Sequence, residues 1–218
     1  MTKGDHESSE GGNCTHWASH YSGQARDYEA PDADVLGALA GLKPGEALDV
    51  GCGAGGLCLE LNERGWAVTG IDITSEAIAS ARRLAQERGA EATFVTADAT
   101  SWRPEQTYEL VCSSFGLPPE PKGRIAVYAM MRQALTPGGV VLIKIGDTRG
   151  RQLPAAFRGY DSLNLDELRV GFKGFEILLE STVEAQAHTH GRTHQHAGAR
   201  RLHERWKTSL FMARKPCA

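Results

Sequence analysis

The sequence predicts an α/β protein built on a doubly wound, mostly parallel sheet with helices on both faces. Short apolar segments that suit buried strands alternate with longer segments whose apolar residues recur at helical spacing. A glycine-rich turn follows the first of these strands. Because crossovers between parallel strands are right-handed, this alternation restricts the topology to a doubly wound sheet.

The individual elements follow from apolar runs and the turn residues that bound them. Helices are predicted over 32–42, 57–64, 123–135 and 165–170, and a longer one runs from the cap residue Thr74 to about Arg88. Glu76 in the first turn of that helix favours its dipole. The predicted strands are 47–50, 67–71, 92–96, 108–113, 140–145, 175–186 and 205–214.

Composition excludes several classes of protein. The 218 residues carry 24 Lys and Arg against 27 Asp and Glu, a formal net charge of -3, so charge alone does not call for nucleic acid or an anionic membrane. There is no apolar run near ~20 residues, so no membrane span is expected. The polar start of the chain does not resemble a signal peptide, and we expect a cytoplasmic location.

The five cysteines are scattered and lack CxxC spacing, which indicates neither a disulfide framework nor a thiolate zinc site. Cys52, Cys58 and Cys112 fall in apolar segments, and we expect them to be small core residues.

The turn after the first strand contains the residues with the clearest ligand-binding pattern. Gly51, Gly53 and Gly55 leave room for a ligand to touch the backbone and permit positive φ. The helix that follows presents free N–H groups. With Gly56, the same turn also fits the dinucleotide pattern G-x-G-x-x-G, so a dehydrogenase is an alternative.

Three carboxylates follow or end the first three strands and favour a different ligand. Asp49 stands two residues before Gly51, where a carboxylate suits an ammonium and would sit poorly beside a pyrophosphate. Asp72 ends the second strand, where it can accept both hydroxyls of a ribose. Asp98 follows the third strand and can accept from an adenine amine. In chain order, the three carboxylates match an amino acid, a ribose and an adenine as the parts of one ligand.

These motifs resemble the class I S-adenosylmethionine-dependent methyltransferases. Residues 47–55 look like the family's first motif, 68–72 like its acidic second motif, and 136–140 like its turn before the fifth strand. The resemblance implies a Rossmann-like, seven-stranded sheet whose last strand is antiparallel. It also implies S-adenosylmethionine as cofactor and S-adenosylhomocysteine as product. The domains would be a disordered tail over 1–15, an arm and lid over 16–45, and a methyltransferase domain over 46–218.

The resemblance further implies which side chains lie near the cofactor. The positions next to the acidic motifs are Cys52, Ile73 and Ala99, and Ser113 begins the loop beneath the sulfonium, which faces the acceptor. This loop lacks the Asn-Pro-Pro-aromatic signature of adenine-amino methyltransferases, so no nucleic-acid partner is expected. The remaining implied contacts come from two tyrosines of the arm that would close over the cofactor, Tyr21 and Tyr28.

A histidine-rich hairpin, residues 175–214, ends the chain. A three-residue loop would place His190 opposite His194 and His188 opposite His196, with all four imidazoles on one face. Three interpretations remain open. The tip is simply solvated, or His190 and His194 act as an acceptor contact or general base, or the four imidazoles bind a divalent metal such as Zn²⁺, Ni²⁺ or Cu²⁺.

The resulting hypothesis is transfer of a methyl group to a heteroatom of a small molecule by in-line displacement, in a monomer or homodimer. Catalysis would then be largely proximity and alignment, with a base where the acceptor carries a proton. A weaker resemblance points to small heteroatom methyltransferases of the tellurite-resistance and thiol-methylating kind. The alternatives are a protein- or RNA-modifying methyltransferase and a non-catalytic module that senses cofactor or metal.

Overall fold

The structure is a computed structural model that describes residues 30–147, 163–186 and 205–217. Its elements in chain order are α1 (Ala33–Leu39), β1 (Glu46–Val50), α2 (Gly56–Glu63), β2 (Ala67–Asp72), α3 (Ser75–Arg88), β3 (Ala92–Thr96), β4 (Tyr108–Ser114), α4 (Pro121–Ala134), β5 (Leu135–Gly146), α5 (Leu165–Gly171), β6 (Glu176–Gln186) and β7 (Arg205–Arg214).

The strands of this described part form one seven-stranded sheet in the order β3-β2-β1-β4-β5-β7-β6. Strands β1 to β5 pair in parallel, whereas β7 runs antiparallel to both β5 and β6. The predicted seven-stranded sheet with an antiparallel last strand is therefore confirmed. The winding direction reverses between β1 and β4, and ligands of such sheets bind beyond the carboxyl ends of the strands at this switch point.

Each face of the sheet has its own apolar core, which confirms the prediction of helices on both faces. On one face, α4 and α5 pack on residues such as Val141 and Ile143. On the other face, α1, α2 and α3 pack on residues such as Ala47 and Leu142. Four of the five residues of β1 are buried, as expected of a strand that is covered on both sides.

The element boundaries differ from the predicted ones in a few places. Helix α4 begins at Pro121, two residues earlier than predicted, because proline fits the first helical turn, where its missing N–H is not needed. Strand β5 already begins at Leu135, where it pairs with β4. Thr74 occupies the N-cap position of α3, but its side chain makes no capping hydrogen bond, which corrects the predicted cap. No helix of the described residues is long and apolar enough to cross a membrane.

Candidate active site

The glycine-rich turn leaves the end of β1 with three glycines in the left-handed region. The φ angles of Gly51, Gly53 and Gly55 are 72°, 55° and 84°, which side chains rarely tolerate. The backbone N–H groups of Gly51 and Cys52 both donate to the carbonyl oxygen of Ile71, at 2.8 and 3.0 Å. The turn is thus fixed to the neighbouring strand β2. A Cβ atom at Gly55 would lie 3.0 Å from the ring of Phe94 and 3.1 Å from the Cβ of Ala81, so this glycine is required by packing within the protein.

A second loop, the β4–α4 loop of residues 115–120, packs directly against this turn. A Cβ atom added at Gly51 would lie 2.5 Å from the Cα of Gly116, and one added at Gly116 would lie 2.4 Å from the carbonyl oxygen of Val50. The hydroxyl of Ser113, buried at the end of β4, donates to that same carbonyl at 2.8 Å. Glycine at both positions is therefore required by close backbone contact.

Asp72 lies at the carboxyl end of β2 beside the turn, as predicted. One carboxylate oxygen accepts the N–H of Gly53 at 2.9 Å, and the other accepts the N–H of Thr74 at 2.8 Å. Burial raises the pKa of Asp72 above its ordinary value, although these hydrogen bonds lower it in part. Each oxygen has a further lone pair, so Asp72 can accept two more hydrogen bonds.

Asp49 lies beneath the turn and is only 2% exposed. Its carboxylate accepts hydrogen bonds from the thiols of Cys58 at 3.4 Å and Cys112 at 3.8 Å. Burial raises the pKa of Asp49 to about 7, against the effect of these thiol hydrogen bonds. Among the described residues, no cation forms an ion pair with Asp49. The buried thiols confirm the prediction that these cysteines, with Cys52, belong to the core.

Asp98 follows β3 and is exposed at the same edge of the sheet. One of its carboxylate oxygens accepts both the N–H and the hydroxyl of Thr100, at 2.8 and 2.7 Å. Ile73, which follows Asp72, is 38% exposed, and Ala99 is partly buried against the core. The three acidic residues thus lie at the ends of three adjacent parallel strands.

The end of β5 places charged residues beside the β4–α4 loop. Lys144 is 5% exposed, and its Nζ forms ion pairs at 2.7 Å with Asp32 and Asp34, at the start of α1. The same Nζ lies 5.8 Å from the ring centroid of Phe115. Phe115 has a φ of 57° and donates its N–H to the carbonyl of Lys144 at 2.9 Å.

Sequence reasoning missed Lys144 and a second buried cation, Arg124. Both stand where a charged residue interrupts an apolar pattern. Lys144 falls inside the buried run of β5, and Arg124 lies three, four and seven residues before Val127, Tyr128 and Met131 on the apolar stripe of α4. These interruptions were the available signal, since Lys and Arg are rarely fully buried unless paired.

Several predicted site residues lie outside the described residues. They are the two tyrosines of the arm, Tyr21 and Tyr28, and the four histidines His188, His190, His194 and His196. Their roles stay predictions. Within the ranges that the structure describes, no group of three or more His, Cys, Asp or Glu residues could hold a metal ion.

The sheet order and the glycine turn at its switch point define a domain of the class I methyltransferase type. A family model described as a methyltransferase domain matches residues 47–139. Among curated proteins, the chain is 32% identical over 134 residues to trans-aconitate 2-methyltransferase of Streptomyces avermitilis. That match covers 58% of this chain and 49% of the relative, and the chain spans about half the length of several other curated relatives.

Solved structures resemble the chain over most of its length. One of them comes from work on the conversion of a disulfide bond into a thioacetal group during echinomycin biosynthesis. It matches with a TM-score of 0.68 and 26% identity, and the match covers 95% of this chain and 92% of the other. TehB from Haemophilus influenzae matches with a TM-score of 0.69 and 21% identity, covering 93% and 67%. These similarities support a class I S-adenosylmethionine-dependent methyltransferase domain.

Proposed function

We propose that this chain transfers a methyl group from S-adenosylmethionine to a nucleophilic heteroatom of a small molecule by in-line displacement. S-adenosylhomocysteine would be the product. The observation that carries the proposal is the arrangement at the switch point, where a glycine-rich turn lies beside the buried carboxylate of Asp49 and the half-buried carboxylate of Asp72. The cofactor, when bound, supplies a methyl group on a sulfonium, and the residues of the chain bind it and orient the acceptor.

The nucleoside half of the cofactor fits the exposed part of this edge. Asp72 keeps one acceptor site on each oxygen, which suits the two ribose hydroxyls. Ile73 offers apolar surface next to it. Asp98 uses one oxygen for Thr100, and the other can accept from the adenine amine beside Ala99.

The amino-acid half fits the glycine turn. Asp49 has a buried carboxylate that lacks a cation among the described residues, and the ammonium of the cofactor would supply one. The positive φ angles of Gly53 and Gly55 shape the turn beside which this half of the ligand would lie. We infer that Cys52 and Ser113 act through that backbone, because the amide of Cys52 and the hydroxyl of Ser113 fix the two sides of the turn.

The acceptor would lie toward the β4–α4 loop, which packs against the turn and carries Phe115 at its start. The names of the curated relatives support a small acceptor, since they include trans-aconitate 2-methyltransferase, ubiquinone biosynthesis O-methyltransferase and demethylmenaquinone methyltransferase. In such a site the chain contributes mainly proximity and alignment.

The test has two arms. Calorimetry compares binding of S-adenosylmethionine, S-adenosylhomocysteine and NAD, and we expect the first two to bind and NAD not to bind. The protein is then incubated with S-adenosylmethionine and a panel of thiols, amines, phenols and metalloid anions, and S-adenosylhomocysteine and methylated product are detected by mass spectrometry. Binding of NAD alone, or no product with any acceptor class, would overturn the proposal.

A further inference from the structure

Helix α4 carries an arginine whose side chain is completely buried. Arg124 is 0% exposed, and it forms a two-point hydrogen bond with Glu167 of α5. Its Nε donates to one carboxylate oxygen at 2.6 Å, and its Nη2 donates to the other at 2.9 Å. The hydroxyl of Tyr128 also donates to Glu167, at 2.9 Å. The guanidinium is therefore held in one orientation from the side of α5.

The remaining donor group of Arg124 is directed at the β4–α4 loop. Its Nη1 donates to the carbonyl oxygen of Pro118 at 3.4 Å and, over a short distance, to that of Pro119. Prolines have no N–H, so these two residues cannot donate backbone hydrogen bonds of their own. Their carbonyls are the backbone groups by which this part of the loop can be held, and Arg124 contacts both.

The two halves of the loop are thus held by different groups. The inner half, residues 115–116, is fixed to the sheet by the backbone bond between Phe115 and Lys144 and by the close contact of Gly116 with Gly51. The outer half, residues 118–119, is held through Arg124 and Glu167, and Leu117 between the two halves is buried in the core. A variant of Arg124 should therefore loosen the outer half while it leaves the cofactor turn in place.

We propose that Arg124 is a positioning residue for methyl transfer, which fixes the outer half of the β4–α4 loop so that the acceptor is aligned with the cofactor. This inference rests on the proposed function. Burial of a charged pair is rarely the most stable solution for a core position, because apolar residues of similar volume stabilise as well or better. A charged pair differs from apolar residues in that its hydrogen bonds fix the orientation of the groups that it contacts. Here the guanidinium, held by Glu167, donates to two consecutive backbone carbonyls of the loop.

The test uses the full-length protein and the acceptor with the fastest turnover in the panel. Arg124→Met removes the donors at similar length, Arg124→Lys keeps the charge without the planar fork, and Glu167→Gln keeps the shape of the partner. The matched control is Arg169→Met, since Arg169 forms its ion pairs with Glu180 and Asp166 at the exposed surface. For each variant, kcat, the KM for the acceptor, the Kd for S-adenosylhomocysteine and the melting temperature are measured.

We expect Arg124→Met to lower kcat by about 30- to 100-fold, because a misplacement of about 1 Å has effects of that size. The Kd for S-adenosylhomocysteine should stay within about threefold of the wild-type value, since the turn is held independently. The single variants Arg124→Lys and Glu167→Gln should each keep a kcat on the order of tenfold higher than that of Arg124→Met. The kcat of the control Arg169→Met should match that of the wild type.

Hydrogen exchange provides the readout that does not depend on turnover. Amides of Leu117 and Glu120 should exchange faster in Arg124→Met or, if that variant does not fold, in Glu167→Gln, whereas amides of Gly51 and Gly53 should not. A kcat equal to that of the wild type, or a loss of kcat that follows an equal loss of cofactor affinity, would overturn the inference. Absence of turnover in the wild-type protein itself would instead mean that the proposed function is wrong.

Discussion

Asp49 and Arg124 are both buried and both ionisable, but their surroundings are opposite. Arg124 is paired with Glu167 through two hydrogen bonds, and its remaining donors meet backbone carbonyls. Asp49 meets only the weak thiol donors of Cys58 and Cys112 among the described residues, and burial raises its pKa to about 7. One charge is satisfied within the fold, and the other is not.

This difference distinguishes residues that hold the structure from residues that meet a ligand. A buried charge without a partner is costly, so it persists where something outside the chain completes it. Asp49 lies under the glycine turn, where the ammonium of the cofactor would do so. Lys144 belongs with Arg124, because Asp32 and Asp34 satisfy its charge. Four predictions test this distinction.

The largest effect on ligand binding is expected at Asp72, a carboxylate with spare acceptor sites. Asp72→Ala should weaken binding of S-adenosylhomocysteine by about 100-fold, since hydrogen bonds to a charged group contribute about 1.5–3 kcal/mol. Calorimetry measures the affinity. The matched control Asp166→Ala changes an exposed aspartate that pairs with Arg169 at the surface, and it should bind like the wild type. Equal affinities in the two variants would remove Asp72 from the site.

The next effect concerns the free energy of unfolding, which the buried carboxylate of Asp49 lowers when it is ionised. Its pKa is about 7 in the folded protein against 3.8 in the unfolded chain, so the folded state binds more protons between these values and stability falls as pH rises from about 4 to 7. Asp49→Asn is free of this cost. Its free energy of unfolding should exceed that of the wild type by on the order of 4 kcal/mol above pH 7.

Urea denaturation of both proteins at several pH values measures this difference, which should vanish near pH 4. A variant that is equally or less stable at pH 8 would show that the carboxylate of Asp49 is satisfied in the fold after all. The comparison with Arg124 would then fail.

A smaller effect should separate the two sides of the Lys144 ion pair. The double variant Asp32→Asn, Asp34→Asn leaves a buried ammonium without a counter-charge and should destabilise the protein by about 2 kcal/mol. Lys144→Met leaves carboxylates that are 39% and 35% exposed and can be hydrated, so it should cost less, about 1 kcal/mol. Denaturation curves that rank the two variants the other way would contradict this account of Lys144.

The smallest effect is expected at the exposed ion pair of Arg169 with Glu180. Arg169→Met should leave the melting temperature and its dependence on salt unchanged within experimental error, because water and ions already screen these charges. A clear drop in melting temperature would mean that this exposed ion pair stabilises the fold. Exposure alone would then not identify the charges that lack a structural role in this protein.

The fold could be predicted from the sequence because its signals are local. The apolar runs of β1 to β4 and the turn residues between them are short-range features, and each of these strands lies within one residue of its predicted bounds. The positions of the acidic residues Asp72 and Asp98 could also be predicted. Each comes at the carboxyl end of a parallel strand, and these ends lie at the same edge of the sheet.

The partners of the buried charges could not be predicted, because they are distant in sequence. Arg124 and Glu167 are 43 residues apart, and Lys144 and Asp34 are 110 residues apart. The sequence marks both cations as unusual but carries no local sign of which carboxylate meets them. The burial of Asp49 likewise depends on α2 and β4, which bring Cys58 and Cys112 to it.

The most direct measurement is the affinity for S-adenosylhomocysteine between pH 5.5 and 8.5, determined by calorimetry for the wild type and for Asp49→Asn. If the ammonium of the ligand pairs with the ionised carboxylate, wild-type affinity should rise up to about tenfold per pH unit until about pH 7 and level off above it. The Asp49→Asn variant should bind more weakly at pH 8 and lack this step. A wild-type profile that coincides with that of the variant, or no binding at any pH, would contradict the account.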